Sequence, residues 1–453
     1  MILEFSLGNY RSYCETRTLS MIASNDIAHE NENVAVLELP HGCGSRTFRV
    51  LKSAVLYGAN ASGKSNLLNG IKFMQRFLFD SSKETQAHEA IPVEPCLVTE
   101  SGQKEPSFFE AVFFHNQVLY RYGFELTAEK IISEWLFFSP KGKEARLFLR
   151  EEESFKIGEA FREGKDLKTK TRPNALFLSV CAQFNGSISM AVLDWFRSFN
   201  VISGIEDKSY LKFTLDKLGD EVFLEEIRRL MKIADLGIDD VHYESRDVQI
   251  GDISETEWDN MLFIDNNLIN TLKTKNLDEI KNMKAIENKF SFMHSRYDTD
   301  NKKIDLIPFS LQKESQGTQK LFAVAGPLID TLKHGKTLFI DELDTRLHPL
   351  ITQFVVKLFH SSRSNPNNAQ LIFATHDTNL LSRRFFRRDQ VWFTEKNKRN
   401  VTDLYALSDY KVQSDTKVRK DATFHKDYIM GKYGAIPYVN ESSMLYGDES
   451  GQE

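Results

Sequence analysis

The sequence lacks nearly everything that marks a secreted or membrane-bound chain. Its 453 residues hold four cysteines (Cys14, Cys43, Cys96 and Cys181) with no Cys-x-x-Cys pair and no Cys/His spacing of a metal site. All four are expected to be reduced and structural, as in a cytoplasmic protein. No window approaches about 18 consecutive apolar residues, and the N-terminal MILEFSLGNYRS has no charged-then-apolar signal layout. A membrane span and a secretory route are both excluded on this reading. Internal repeats, low-complexity tracts and sustained heptads are also missing, so no long coiled-coil arm is expected. Nor is there an excess of positive charge. With 58 Lys+Arg against 64 Asp+Glu the net charge is −6, which argues against a broad nucleic-acid-coating surface. Any nucleic-acid contact has to be local. Arg383-Arg384-Phe385-Phe386-Arg387-Arg388 is the candidate patch, and a solvated face is its plainer reading.

What is present is an ordinary folded composition, 41% hydrophobic and 27% charged, rich in aromatics through 34 Phe. The length allows two or three domains' worth of core, or one large domain with an insertion. Strand-like runs (Ile2 to Phe5, Thr16 to Met21) occupy residues 1–50. A short apolar strand, Ala54 to Tyr57, then runs into Gly58. Leu67, Leu68, Ile71, Met74, Phe77 and Leu78 recur at helical spacing after it. Residues 107–150 change to strand periods separated by polar turns, an expected antiparallel sheet inserted after the first helix. Residues 165–200 return to helix. The stretch 201–305 is charged and expected to be predominantly helical, including Leu277 to Phe290. The organisation expected is an N-terminal part of an α/β head over 1–200, a helical insertion over 201–305 and the C-terminal part of the head over 306–440. A small, polar, acidic tail over 441–453 is expected to be disordered.

Gly58-Ala59-Asn60-Ala61-Ser62-Gly63-Lys64-Ser65 fits the phosphate loop G-x-x-x-x-G-K-[ST], with a strand before it and a helix after it. Its glycines let successive backbone N–H groups turn toward phosphate oxygens, and the helix start adds partial positive charge. Lys64 is expected to reach the β- and γ-phosphates and Ser65 to ligate Mg²⁺. The ligand class expected is a nucleotide. Far along the chain, Thr337 to Ile340 is an apolar strand ending in Asp341-Glu342, expected beside the phosphate loop in a parallel sheet. Asp341 is placed to hold Mg²⁺ through water, and Glu342 to polarise the attacking water. Leu371 to Thr375 forms a further short strand that ends in His376, a group for the γ-phosphate or the attacking water.

Between these lies LQKESQGTQKLF, residues 311–322. Alone it is a helix start with Ser315 as cap. Apolar residues Leu321, Ala325, Leu328 and Leu332 continue at helical spacing, and Pro327 is expected to kink the helix.

Taken together, the phosphate loop, ESQGT where a Ser-Gly-Gly-Gln signature would stand, the strand ending in Asp341-Glu342, Asp344 and His376 resemble the ABC-type ATPases. The SMC/RecF-related branch is the nearer likeness. Leu7-Gly8-Asn9-Tyr10-Arg11-Ser12-Tyr13 is similar to that branch's N-terminal strand, and Asn60 and Asn66 match its GxNxSGKSN loop. The resemblance implies a P-loop ABC-type head with an antiparallel β subdomain and a helical insertion. It implies a nucleotide site that includes Asn9, Arg11, Ser12 and Asp344, with Arg11 on the phosphate or adenine side. It also implies that Ser315, Gly317 and Thr318 act on the γ-phosphate held by a second copy, so that ATP joins a homodimer or higher oligomer. Glu342 to Pro349 (ELDTRLHP) and Lys432 to Pro437 (KYGAIP) resemble stand-alone AAA, OLD-like ATPases of bacterial anti-phage and abortive-infection operons, of the RloA/AbiL and PARIS AriA types. That likeness implies a sensor ATPase controlling a Toprim-like effector nuclease from the same operon. A RecF-like repair ATPase that binds DNA directly is the alternative. A transporter subunit fits less well, because the inserted region is large. A fused nuclease is disfavoured by the 77 residues that follow His376 (376 to 453). The signature departs from the family's pattern in lacking its leading Leu and second glycine, and no glutamine linking Mg²⁺ to the inserted lobe is identified.

Overall fold

The computed structural model describes residues 1–38, 47–100, 102–140, 143–234, 237–249, 284–412, 416–417 and 423–437. They fall into two units: residues 1–205, 331–345 and 352–453, and residues 206–330 with 346–351. The disordered-tail expectation for 441–453 lies outside the described residues.

The first unit is α/β. Its six-stranded sheet runs, across its width, Phe199–Ser203, Thr337–Asp341, Gln370–Ala374, Ser53–Tyr57, Val391–Lys396 and Thr402–Ala406. The first five are parallel and the last is antiparallel. Ser53–Tyr57 and Gln370–Ala374 are buried at every position, as the continuous apolar runs of a doubly covered parallel sheet require. One expectation is corrected here. The Asp341 strand is not the immediate neighbour of the phosphate-loop strand, because Gln370–Ala374 lies between them. Since all three are parallel, their C-terminal ends still emerge at one edge.

The expected antiparallel sheet forms, and it is larger than its own segment. Ser107–His115, Val118–Leu126, Ile131–Ser139, Ala145–Glu151 and Ser154–Ile157 are joined by the N-terminal Ile2–Gly8 and Arg17–Ser20 into seven strands. Burial alternates along Ser107–His115, which directs Phe109, Ala111 and Phe113 inward. Phe113 stacks on Trp195 of the helix Ser187–Arg197, with ring centroids 3.8 Å apart. The phosphate-loop helix Lys64–Asp80 presents Phe73 to Phe109 and Phe77 to Phe124. Glu134 accepts the Phe177 and Leu178 amides, so the sheet caps the helix Phe177–Gln183.

Two cysteines are not reduced as expected: Cys14 and Cys96 form a disulfide with Cα atoms 5.1 Å apart. Separated by 82 positions, they are brought together because the 94–96 segment is bound to the turn at 9–11. The Arg11 amide donates to the Glu94 carbonyl (2.8 Å), and the Cys96 amide to Asn9 Oδ1 (3.0 Å). Cys181 is free and buried, and Cys43 lies outside the described residues.

The second unit corrects the helical insertion. It opens with helices Lys208–Lys217 and Glu221–Ile233, the latter capped by Asp220, whose carboxylate accepts from the Val222 and Phe223 amides. An antiparallel three-stranded sheet follows, Asp240–Gln249, Lys284–Tyr297 and Lys303–Phe309. Leu277 to Phe290, expected as helix, is strand from Lys284 onward, and its earlier part is outside the described residues. The decisive period is two, not 3.6: Phe290, Phe292 and His294 alternate with polar or flexible residues. Phe290 and Phe292 both pack on Phe322 of the helix Gln316–His334, at 5.2 and 5.1 Å. That helix continues through Pro327. The Ala323 carbonyl, deprived of its amide donor by the proline, accepts the Thr214 hydroxyl instead (2.7 Å). Among the described residues no helix is long and apolar enough to cross a membrane.

Candidate active site

The parallel edge of the first unit gathers most of the sequence-predicted residues. The loop Gly58 to Gly63 leaves the buried strand Ser53–Tyr57, with Asn60 and Ala61 exposed at its tip and Ala61 left-handed (φ +60°). Gly63 has φ +118° and turns the chain into the helix, and a Cβ there would fall 2.6 Å from Thr402. Its shape is held from outside. Thr402 donates to the Ser62 carbonyl (2.8 Å), and its hydroxyl also lies 2.7 Å from Ser12 Oγ. Asn66 donates to Ser12 Oγ (2.8 Å), the Ser62 and Thr394 hydroxyls pair at 2.6 Å, and the Tyr13 hydroxyl donates to the Gly63 carbonyl. Ser12, Ser62 and Asn66 thus brace the loop with their side chains.

The Lys64 ammonium donates to the Gly58 and Ala59 carbonyls, at 2.8 and 3.1 Å. Burial lowers its pKa, and the charges of Asp341, Glu342 and Asp344 oppose that shift. Asp341 moves the other way: burial raises its pKa, against the Ser65 hydroxyl bonded to it and the charges of Lys64 and His376. Asp341 Oδ1 is fully buried and has no hydrogen-bond partner among the described residues. A buried carboxylate oxygen left over beside the Ser65 hydroxyl is a donor set suited to a hard cation. Among the described residues no three His, Cys, Asp or Glu side chains form a closed cage. Mg²⁺ with a nucleotide needs none, since it takes one or two protein oxygens and the phosphates.

Glu342 sits in the left-handed region (φ +55°), an uncommon conformation for a residue with a side chain, worth about 1–3 kcal/mol of strain. The neighbouring chain fixes it there. The Gly204 amide donates to the Asp341 carbonyl (2.5 Å), the Leu343 amide to the Ala374 carbonyl (3.0 Å), and the Thr345 hydroxyl to the Glu342 carboxylate (3.1 Å). A Cβ on Gly204 would stand 1.9 Å from the Glu342 carbonyl oxygen, so only glycine fits. Asp344 accepts the His376 amide at 3.3 Å, which ties the two strand ends together. Burial, assisted by Lys64, holds the His376 imidazole below its ordinary pKa against three acids. At neutral pH it is an uncharged donor and acceptor.

Some predicted residues are engaged elsewhere. Asn9 is buried and donates to the Gly102 and Glu105 carbonyls. The Arg11 guanidinium makes a two-pronged pair with Glu94, at 3.1 and 2.8 Å. In the second unit, the Ser315 hydroxyl accepts the Thr318 amide (3.1 Å) and pairs with the Thr318 hydroxyl (2.9 Å), a helix cap. Gly317 follows in the same turn. The basic patch is half neutralised, because Arg387 is buried against Asp389 and Glu30, and Arg388 pairs with Asp26. Sequence reading missed Gly204, Tyr13, Thr394 and Thr402. Two of them left a signal there: Tyr13 closes the N-terminal motif Leu7 to Tyr13, and Gly204 is a glycine following the strand Phe199–Ser203.

A family model described as "AAA domain, putative AbiEii toxin, Type IV TA system" matches residues 53–382, well over half of the chain. The chain belongs to this AAA family. The matched span of the AAA domain takes in the phosphate loop, residues 311–322, Asp341-Glu342 and His376. Two solved structures are similar to it. One is an SmcHead bound to the C-winged helix domain of ScpA (TM-score 0.39, 11% identity, covering 89% of this chain and 97% of that one). The other is the recombination mediator protein RecF with ATPγS (TM-score 0.31, 13% identity, 90% and 98%). A search of curated proteins returns no match to the AAA chain.

Proposed function

We propose that the chain is an ATP-hydrolysing switch whose ATP-bound form pairs with a second copy and controls a partner effector, a Toprim-like nuclease, in anti-phage defence. The single observation that carries the ATPase reading is the meeting of Lys64, Ser65, Asp341, Glu342 and His376 at one sheet edge, with a buried Asp341 oxygen left unbonded. Lys64, turned from its loop carbonyls, and the N–H groups of Gly58 to Ser65 bind the β- and γ-phosphates. Ser65 and Asp341 would hold Mg²⁺, which when bound would neutralise charge on the phosphates. Glu342, fixed by Gly204 and Thr345, orients the attacking water and takes its proton. The water oxygen bonds to the γ-phosphorus, the bond to the β–γ bridging oxygen breaks, and ADP and inorganic phosphate leave. His376, neutral, hydrogen-bonds the γ-phosphate or that water.

The defence role rests on the description of the family, which names the AbiEii toxin and a type IV toxin–antitoxin system, and on the ELDTRLHP and KYGAIP segments. Direct DNA binding as in RecF is the weaker reading, since Arg387 and Arg388 of its candidate patch already serve acids of the chain. Pairing is tested through Ser315, whose hydroxyl and helix start would face the γ-phosphate in a second copy. Ser315→Arg is expected to lose ATP-dependent dimerisation in light scattering while its phosphate loop still binds a fluorescent ATP analogue. Normal dimerisation of Ser315→Arg with ATP would overturn the pairing.

A further inference from the structure

The disulfide Cys14–Cys96 has no part in the chemistry above, yet Cys14 directly follows two braces of the phosphate loop. The Tyr13 hydroxyl donates to the Gly63 carbonyl (3.1 Å), and Ser12 Oγ meets Asn66 and Thr402. The Ser12 carbonyl also accepts the Thr402 amide (2.7 Å). Both braces belong to a tight turn, closed by reciprocal bonds between the amides and carbonyls of Tyr10 and Tyr13 (2.9 Å each). Asn9 (φ +44°) and Arg11 (φ +50°) are left-handed there, a conformation that side-chain-bearing residues keep only where their surroundings enforce it. Two neighbouring stretches, 94–96 and 102–105, do the enforcing. Glu94 accepts the Arg11 amide on its carbonyl and the Arg11 guanidinium on its carboxylate. Asn9 accepts the Cys96 amide and donates to the Gly102 and Glu105 carbonyls. The fit is close, since a Cβ on Gly102 would stand 2.1 Å from the Cys96 carbonyl oxygen. The disulfide is the covalent part of this clamp. It spans 82 positions, which include the phosphate loop and the whole helix Lys64–Asp80. Cys96 is fully buried and Cys14 partly exposed, so Cys14 is the sulfur within reach of a thiol. Cys181 is buried, and burial pushes its thiol pKa up, which makes it a poor rival for exchange.

We infer that Cys14–Cys96 is a reversible thiol–disulfide exchange site for low-molecular-weight thiols, and that its redox state sets how tightly the phosphate loop binds nucleotide. ATP is used inside cells, where disulfides are as a rule transient rather than structural. A small thiolate attacks Cys14 Sγ, the bond to Cys96 Sγ breaks, and Cys96 leaves as a thiolate that takes up a proton. A second small thiol then attacks the outer sulfur of the mixed disulfide and frees Cys14. Two small thiols are oxidised to one disulfide, and the two electrons reduce the protein pair to two thiols. Oxidation runs the same steps in reverse, with the small disulfide as oxidant. After reduction only non-covalent bonds hold the strained turn. It relaxes for part of the time, and Ser12 and Tyr13 leave the loop with it. Apparent nucleotide affinity then falls in proportion to the braced fraction. This inference rests on the nucleotide binding proposed above.

The test equilibrates the full-length chain in two glutathione buffers, one oxidising and one reducing. Mass spectrometry of alkylated peptides reads Cys14 and Cys96, and the same samples are titrated with a fluorescent ATP analogue. The pair is expected to be linked in the first buffer and free in the second, with binding weaker on the order of tenfold after reduction. Cys14→Ser and Cys96→Ser are expected to bind like the reduced wild type in both buffers. Should either variant fail to fold, the wild-type comparison alone decides. Equal affinity in the two states overturns the inference and leaves nucleotide binding standing. So does a pair that stays linked, or stays free, in both buffers. A redox effect that survives in both serine variants overturns it as well. Loss of the circular-dichroism signal on reduction would make the bond a staple of the whole fold, which also defeats control at the loop. If the analogue binds in neither state, the nucleotide reading falls and the inference with it.

Discussion

The phosphate-loop edge and the signature segment are built on opposite terms. At the first, groups from distant parts of the chain hold the reactive residues where chemistry needs them: the Thr402 and Ser12 hydroxyls under the loop, the Gly204 amide under Asp341, the Asp344 carboxylate against His376. One buried oxygen, Asp341 Oδ1, is left over. In the second, the polar groups satisfy one another. Ser315 caps its own helix and Arg346 is held by Asp207. A site whose leftover group is buried needs a ligand to be complete. One whose groups bond locally at the surface can exchange those bonds at little cost. On the proposed reading, nucleotide binding is prepared within one copy, whereas the segment around Ser315 takes its part only against a second copy. The predictions ask how firm each half is.

The largest effect is expected at Gly204. A Cβ there meets the Glu342 carbonyl oxygen at 1.9 Å and the Asp341 carbonyl oxygen at 2.6 Å, both main-chain atoms of a strand end that has no room to retreat. Gly204→Ala is expected to cost about 3 kcal/mol of stability through overpacking and to cut phosphate release by at least about tenfold through a displaced Glu342. Calorimetry and a phosphate-release assay measure the two. Wild-type values in both would show that the edge is not held rigidly, and the contrast with the signature segment would lose its basis.

Much of that edge was legible in advance because its residues are adjacent in sequence to strong signals. The glycine loop, the apolar strand ending in Asp341-Glu342 and the strand ending in His376 each carry their own periodicity and terminus. The braces were not legible, since Thr402 reaches Ser12 and Ser62 across more than three hundred positions and no local pattern marks such a contact. For the same reason the Cys14–Cys96 disulfide was missed, and the N-terminal strands were not joined to the inserted sheet. The insertion failed for a different reason. Charged residues around Lys284 to Tyr297 hid an alternation of Phe290, Phe292 and His294 that reads as strand once the charges are set aside. Asn9 and Arg11 were assigned to the nucleotide by likeness. In this chain they have local partners, the 96–105 segment and Glu94, which no spacing could have revealed.

A second, smaller effect concerns the sheet beneath the loop. His360 is buried, its Nε2 lies 2.7 Å from the hydroxyl of Ser53 in the phosphate-loop strand, and burial lowers its pKa to about 3. An unfolded His titrates near 6.5, so as pH falls below that value the unfolded chain takes up a proton that the folded chain refuses. Stability is therefore full above about 6.5 and declines as pH falls toward 3. The loss from this group is about 2–3 kcal/mol by pH 4.5. Urea melts of wild type and His360→Gln at pH 7 and 4.5 check this: the variant, with no group to titrate, should show the smaller decline. Equal declines would place the acid sensitivity elsewhere.

The smallest effect tests the other half. Asp207 holds Arg346 through a half-exposed pair, worth at most about 1 kcal/mol. Because its carboxylate makes no capping bond to the helix Lys208–Lys217, Asp207→Asn removes the charge without removing a cap. Folding stability should change by less than about 0.5 kcal/mol, as for an ordinary surface substitution. With the segment around Ser315 facing a second copy as proposed, removing this negative charge should instead lower the ATP concentration that half-saturates pairing by about two- to fivefold, most visibly at low salt, where charge interactions are least screened. The comparison would break if Asp207→Asn lost several kcal/mol of stability with no shift in pairing. Asp207 and Arg346 would then be a structural brace like those under the phosphate loop, and the signature segment would be as fixed as the edge it is set against.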